Sequence, residues 1–314
     1  MEKTTLISEI NRLKKEKNAV IMAHYYQNDD LQDIADFIGD SLALAQQAAK
    51  TNADILVVCG VHFMGETAKI LSPNKKVLIP DMEAGCSLAD SCPADLFADF
   101  VKEHPDHKVI TYVNTSAAVK AHTDVVVTST NAVAIVQSFP QDEKLIFGPD
   151  RNLGNYINSL TDRKMLLWDG ACHVHEQFSI EKLVQLKKEN PNAKIVAHPE
   201  CKQVLLLLAD FIGSTAALLN YVQKSDNQEF IVATESGILH EMMRTCPDKK
   251  FIPAPPNDST CACNECSFMK LNTLEKLYKC LLNDSPAIEI PEEIRIKAEK
   301  PIRKMLELSN KLGL

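Results

Sequence analysis

Short apolar runs recur along the chain and alternate with longer amphipathic segments. Ala19–Ala23 is one such run, too short for a stable helix and followed by a polar turn, which predicts a buried strand. The pattern continues with a helix near Leu31–Asp36, a strand at Phe37–Ile38, a helix over Leu42–Lys50, and strands at Ile55–Cys59 and Val77–Ile79. A second series of strands is expected at Val109–Val113, Val125–Thr128, Leu145–Phe147 and Met165–Trp168. A third is expected at Ile195–Ala197, Phe211–Ile212, Phe230–Ala233 and Phe251–Ile252. Strands alternating with helices imply parallel sheets covered on both faces. The predicted fold class is therefore α/β, as three small α/β/α sandwiches of about four strands each. Leu6, Ile10 and Leu13 share one face of a helix ahead of the first unit. Helical segments 87–104, 173–190 and 267–283 take the equivalent places later, the last packing back toward the first unit. Pro291 opens a final helix, which Pro301 should kink or split.

The three series are copies of one unit. LKKEKNAVIMAH (13–24) matches LKKENPNAKIVAH (186–198), and ADFIG occurs at 35–39 and 209–213. The middle copy is more diverged but stays in step. His24, Tyr112 and His198 end corresponding strands, 88 and 86 residues apart. Tyr26, Asn114 and Glu200 follow at the same intervals, as do Ser41, Ser129 and Thr215. Cys86, Cys172 and Cys266 close the units, spaced by 86 and 94. These periods divide the chain into residues 1–87 with 267–314, residues 88–172 and residues 173–266, three homologous domains about a pseudo-threefold axis.

Composition narrows the class without naming an activity. The chain has 314 residues, 45% apolar and 24% charged, which is ordinary for a globular protein. A net charge of −8 argues against a general nucleic-acid binder. No apolar stretch approaches a membrane span, and the charged N-terminus is no signal peptide. Ten cysteines in such a chain point to metal binding or catalysis in a reducing, cytoplasmic setting rather than to disulfides. Cys59, inside an apolar run, is expected to be a buried small hydrophobe, and Cys92, Cys201, Cys246 and Cys280 are read as structural.

The repeated polar positions carry the chemistry. In parallel α/β units ligands gather beyond the carboxyl ends of the strands, where His24, Tyr26, Tyr112, Asn114, His198 and Glu200 all fall. Ser41, Ser129 and Thr215 stand where a strand or turn hands over to a helix. Each is either an ordinary N-cap or part of a set of helix ends converging on anions. One helix end contributes about 0.3–1 kcal/mol, up to about 2 when partly buried, whereas micromolar affinity requires about 8. A metal or a charged side chain should therefore also hold the ligand, a small molecule with two or three carboxylate or phosphate groups. Copy three offers Cys261, Cys263 and Cys266, a spacing that zinc also uses, but no second matching pair is nearby. One cysteine per copy gives three thiolates, which would leave one iron of a [4Fe–4S] cluster open to substrate as a Lewis acid.

Taken together, HYYQ, GDS, MGE, the lone Cys86, YVN, TS-x-NA, GACHVHE, HPEC, GST and C-x-x-M-K-x-N, in order from His24 to Asn272, resemble the quinolinate synthase family. That resemblance implies three α/β/α domains around a central [4Fe–4S] cluster. It implies condensation of iminoaspartate with dihydroxyacetone phosphate to quinolinate, phosphate and water in NAD biosynthesis. It leaves open a transient contact with an L-aspartate oxidase as the source of the imine. Carried over by position, Cys86, Cys172 and Cys266 match the cluster ligands. His24, Ser41, Tyr112, Asn114, Ser129, His198, Glu200 and Thr215 match substrate contacts, with His175 in the matching cluster loop. Tyr26, His198 and Glu200 match catalytic positions, and desolvation is expected to raise the pKa of Glu200. Some longer members carry C-x-x-C-x-x-C where this chain has C-x-C-x-x-C. The extra thiols, Cys261 and Cys263, are read as spare, because closing a C-x-C pair is strained. Two rivals are an aconitase-like hydro-lyase and an iron or redox sensor.

Overall fold

The computed structural model describes residues 2–258 and 264–314; Cys261 and Cys263 lie outside the described residues. Three four-stranded sheets share one strand order. The first comprises β1 (Ala19–His24), β2 (Phe37–Gly39), β3 (Ile55–Cys59) and β4 (Lys76–Leu78), ordered β2-β1-β3-β4. The second comprises β5 (Lys108–Tyr112), β6 (Val125–Val127), β7 (Leu145–Gly148) and β8 (Leu166–Leu167), ordered β6-β5-β7-β8. The third comprises β9 (Lys194–Ala197), β10 (Phe211–Ile212), β11 (Glu229–Ala233) and β12 (Lys250–Pro253), ordered β10-β9-β11-β12. All pairings are parallel. The expected strands form, with ends moved by a residue or so, and flanking helices make three α/β/α layers.

A buried sheet needs its apolar strands in register, and here an aspartate clasps each first strand. Asp36, Asp124 and Asp210 accept the N–H of Ile21, Val109 and Ile195 at 2.9, 2.8 and 2.8 Å. Each aspartate returns its own N–H to the carbonyl of the same strand residue. The clasp fixes the connection into the second strand in all three copies. It thereby fixes where the first strand ends, and the site is built at that end.

Two helical expectations change. Each of the segments 87–104, 173–190 and 267–283 breaks into a short turn and a longer helix. Ser87–Asp90 is followed by Ala94–Lys102, whose N-cap is Pro93. His173–Glu176 is followed by Ile180–Glu189, capped by Ser179, which accepts the Lys182 N–H. A 3₁₀ turn at Met269–Leu271 precedes Leu274–Asn283, capped in the same way by Thr273. Separate caps start fresh helices, so a cysteine-bearing turn is set apart from the packing helix. Leu274, Leu277 and Leu281 of the last helix pack with Leu6, Ile10 and Leu13, as expected.

Pro301 does not split the final helix, which runs unbroken over Glu292–Leu312. Ala298, Pro301, Ile302, Met305 and Ser309 are buried, and the helix packs on β6 and on helices Ala117–Lys120 and His62–Leu71. That burial offsets a local cost of about 3 kcal/mol for an internal proline. Among the described residues no helix is long and apolar enough to cross a membrane.

Removing one clasp tests its worth. Asp124→Ala should lose about 1–3 kcal/mol of stability in denaturant titration, and Asp124→Asn, which keeps an acceptor, should lose less.

Candidate functional site

In each sheet the strand order reverses beside the first strand, and the crevice past that point is where α/β sheets bind ligands. His24 and Tyr112 are the last residues of β1 and β5, and His198 directly follows β9. They face one cavity shared by all three copies. Its wall takes His24, Tyr26, Ser41 and Cys86 from the first copy, and Tyr112, Asn114, Ser129 and Cys172 from the second. His175, His198, Glu200, Thr215 and Cys266 complete the expected set on the same wall. Every residue singled out from the repeat thus reaches one space.

The three hydroxyl residues are not the helix caps. Asp40 caps the helix Ser41–Lys50 by accepting the Ala43 N–H, and Ser214 caps Thr215–Lys224 by accepting that of Ala217. In the second copy Asn131 stands at the N-cap of Ala132–Gln137, with its side chain accepting the Thr128 N–H at 2.7 Å. In the first and third copies the preceding residue carries the capping function, and the hydroxyl residues Ser41, Ser129 and Thr215 of all three line the cavity.

Burial and local bonding decide the charge of each group. His24 Nδ1 accepts the Tyr26 N–H at 3.2 Å, and His198 Nδ1 accepts that of Glu200 at 3.3 Å. Each ring nitrogen that accepts a bond carries no proton, so both imidazoles present Nε2–H to the cavity. His198 Nε2 stands 3.2 Å from Ser129 Oγ. Burial drives both pKa values down to about 3, with the neighbouring imidazole adding to the shift. Tyr26 sits between Thr215 Oγ1 (2.6 Å) and Thr234 Oγ1 (2.8 Å). Burial raises its phenol well above the usual value. It is a neutral donor.

Glu200 departs from expectation. Burial does push its pKa upward, but His175, His198 and the Tyr112 hydroxyl outweigh it and hold the carboxyl below the usual range. Tyr112 donates to Oε1 at 2.6 Å, and His175 Nδ1 lies 3.2 Å from Oε2, in ion-pair reach rather than an aligned hydrogen bond. His175 Nε2 in turn meets Thr234 Oγ1 at 3.0 Å. A polar chain therefore runs from Tyr26 through Thr234 and His175 to Glu200. Asn114 Oδ1 is buried without a partner among the described residues, leaving an acceptor for a ligand.

The cysteines pass a chemical test for an iron–sulfur cluster. Cys86 and Cys172 are the N-caps of their short turns, and Cys266 precedes the 3₁₀ turn. Backbone N–H groups of Leu88 and Ala89, of His175, and of Phe268 and Met269 point at the respective sulfurs. Burial foremost raises the Cys86 thiol to about 12 and that of Cys266 to about 11, and Cys172 rises well above its usual value. Cys172 also feels the charge of Cys86 and Cys266, and Cys86 that of Cys266, so the sulfurs stand within electrostatic reach of one another. Three such thiolates need a cationic centre, and iron supplies one. The donor atoms of Cys172, His175 and Glu200 lie within 4.8 Å of one another, so the ionised carboxylate stands beside the Cys172 sulfur.

Sequence reasoning missed the brace around the third cysteine. Glu235 Oε1 accepts the Cys266 N–H at 3.0 Å and pairs with Lys270 Nζ at 3.2 Å, while Lys270 also donates to the Tyr26 carbonyl at 2.9 Å. Ser87 Oγ meets His173 Nδ1 at 2.6 Å across two copies. The available signal was adjacency: Ser87 and His173 each follow a cysteine, and Glu235 follows β11.

A family model described as quinolinate synthetase A protein matches residues 8–307. The chain is 60% identical over 304 residues to the quinolinate synthase of Thermosynechococcus vestitus, covering 97% of this chain and 95% of that one. It is 58% identical over 304 residues to that of Chloroherpeton thalassium, covering 97% and 94%, and 59% identical over 304 residues to that of a Synechocystis species, covering 97% and 95%.

The buried histidines make stability depend on pH. Between their ordinary value of 6.5 and about 3, the unfolded chain binds protons that the folded one refuses, so stability rises with pH across that window. Acidifying metal-free protein from about pH 7 to about pH 5 should cost roughly 4 kcal/mol, read by denaturation at each pH. His198→Gln should flatten the slope. Tyr112→Phe removes a donor to Glu200 and should move that carboxyl's titration, followed by infrared difference spectra, upward by about one unit.

Proposed function

The chain belongs to the quinolinate synthase family, enzymes of NAD biosynthesis, and from that premise we propose that it condenses iminoaspartate with dihydroxyacetone phosphate to give quinolinate, phosphate and water. The observation that carries this reading is one cavity walled by three cysteines, hydroxyl and imidazole donors, and the ionised carboxylate of Glu200. Cys86, Cys172 and Cys266 would hold a [4Fe–4S] cluster. When bound, the cluster supplies a Lewis-acidic iron that polarises a hydroxyl or carbonyl.

The protein's own groups divide the remaining work. Nε2–H of His24 and His198, the hydroxyls of Ser41, Ser129 and Thr215, and Asn114 bind and orient carboxylate and phosphate oxygens. Neutral imidazoles suit that task, since they donate without needing a proton from solvent. Glu200, kept ionised, acts as the base that takes a proton from carbon beside the triose carbonyl. Tyr112 and His175 hold it in place and keep it ionised, free to accept the proton though a weaker base than an unpaired carboxylate. Tyr26 delivers a proton, with Thr234 and His175 linking it to Glu200 for return of the proton between steps. Val61, Phe63, Met64, Val174 and Met269 form the apolar part of the wall and keep bulk water from the reacting imine.

The same proposal includes supply of the imine by transient contact with an L-aspartate oxidase. It places the enzyme in the cytoplasm, where the free thiols among the described residues stay reduced.

Anaerobic reconstitution with iron and sulfide, metal analysis and a quinolinate assay test the reading together. Wild-type protein should form quinolinate and phosphate from both substrates; a cluster-loaded protein that forms neither overturns it. Cys172→Ser should lose bound iron. Glu200→Gln should keep iron and lose about 10²–10⁴-fold in kcat, and retention of activity in a cluster-loaded Glu200→Gln enzyme removes the proposed base.

A further inference from the structure

Asp40 puts a carboxylate into the wall of a cavity that, on the functional reading above, receives anions. The residue is only 7% exposed. Left unpaired, its charge would repel the substrate's own. Both oxygens are instead engaged: Oδ1 accepts the Ala43 N–H at 3.0 Å and Oδ2 the Thr130 hydroxyl at 2.8 Å. Neither partner is a cation. Thr130 Oγ1 also lies 2.8 Å from Ser214 Oγ. A hydroxyl has one proton to give, and the carboxylate is the stronger acceptor, so Ser214 donates to Thr130 in turn. The chain from Ser214 through Thr130 to Asp40 takes one residue from each copy of the repeat. Each of the three is next in sequence to a cavity hydroxyl: Thr215, Ser129 and Ser41.

We propose that Thr130 is a positioning residue that holds the Asp40 carboxylate against the helix ends and away from the anion pocket. Anion affinity then depends on a hydroxyl that does not line the pocket. Removing it strands a carboxylate oxygen in the wall, where it repels an incoming carboxylate or phosphate and competes for the hydroxyl of Ser41. A purely structural role for Thr130 predicts no dependence on the charge of Asp40, and this separates the two accounts.

The test uses full-length, cluster-loaded enzyme, with binding of pyridine-2,3-dicarboxylate measured by calorimetry and KM and kcat measured for the triose phosphate. Thr130→Val should weaken dicarboxylate binding and raise KM by about tenfold, with a smaller change in kcat. Thr130→Ser keeps the hydroxyl and should stay within about twofold of wild type. The double variant Thr130→Val with Asp40→Asn should recover most of the loss, since the repelling charge is gone. Thr130→Val binding as wild type, Thr130→Ser as impaired as Thr130→Val, or no recovery in the double variant each overturns the proposal. Should Thr130→Val fail to fold, Asp40→Asn alone decides: Asn caps nearly as well as Asp, so dicarboxylate binding should be equal or tighter, and a tenfold loss overturns the proposal. Wild-type enzyme that binds no dicarboxylate overturns the functional reading itself; wild type that binds it while all variants bind equally overturns only the role of Thr130.

Discussion

Desolvation governs this molecule's centre. Three cysteine sulfurs, four imidazoles and the carboxylates of Asp40, Glu200 and Glu235 share one cavity. In that setting each group must be neutral, paired or matched to a ligand. His24 and His198 answer by staying neutral. Glu200 answers with Tyr112 and His175, and Asp40 with an amide and a hydroxyl. Glu235 is offset by Lys270 and two amides. The thiols have amide donors, and burial raises all three so that they stay protonated and neutral.

Such a centre demands precise strand ends, and the fold supplies them cheaply in sequence terms. Each aspartate clasp ties the connection to the second strand onto its first strand, two or three residues before that strand ends at the cavity. Close backbone approach completes the enclosure. A Cβ on Gly237 would stand 2.9 Å from the Tyr26 backbone and 2.8 Å from Glu235 Oε2, so only glycine lets the loop after β11 lie against the first copy. Gln32 bridges the same seam through bonds to the carbonyls of Tyr25, Gln27 and Gly237. The C-terminal helix adds a brace from outside, with Ser309 Oγ 2.9 Å from Asn131 Nδ2 in the loop that carries Ser129.

Much of this was legible from spacing alone. Apolar runs such as Ile55–Cys59 are buried on every residue, and a run of that kind reads the same in sequence and in space. The equal intervals between His24, Tyr112 and His198 carried their convergence, because equivalent positions in equivalent units meet on a common axis. Local chemistry was harder to read. A serine at a helix start looks like its cap, yet the neighbouring residue caps in two of the copies. Burial alone suggested a raised pKa for Glu200, but its partners come from other segments of the chain and reverse the direction. An internal proline reads as a break, but tertiary burial of the stripe around Pro301 overrides that local preference.

Function at this site comes from breaking the symmetry that builds it. Three identical units would present three identical donors, suited to a symmetric anion and to little chemistry. Here the position held by Tyr26 in the first copy is Asn114 in the second and Glu200 in the third: a neutral donor, an amide and an ionised carboxylate. The contacts that tune these groups run between copies. Tyr112 of the second grips Glu200 of the third, and Tyr26 of the first leans on Thr215 and Thr234 of the third. Divergence at one position was therefore accommodated by partners on a different copy, which ties the copies into one catalytic unit. Among the repeated cavity positions the cysteines alone were kept alike in all three, as expected if their shared task is to hold one centre that no single copy could bind.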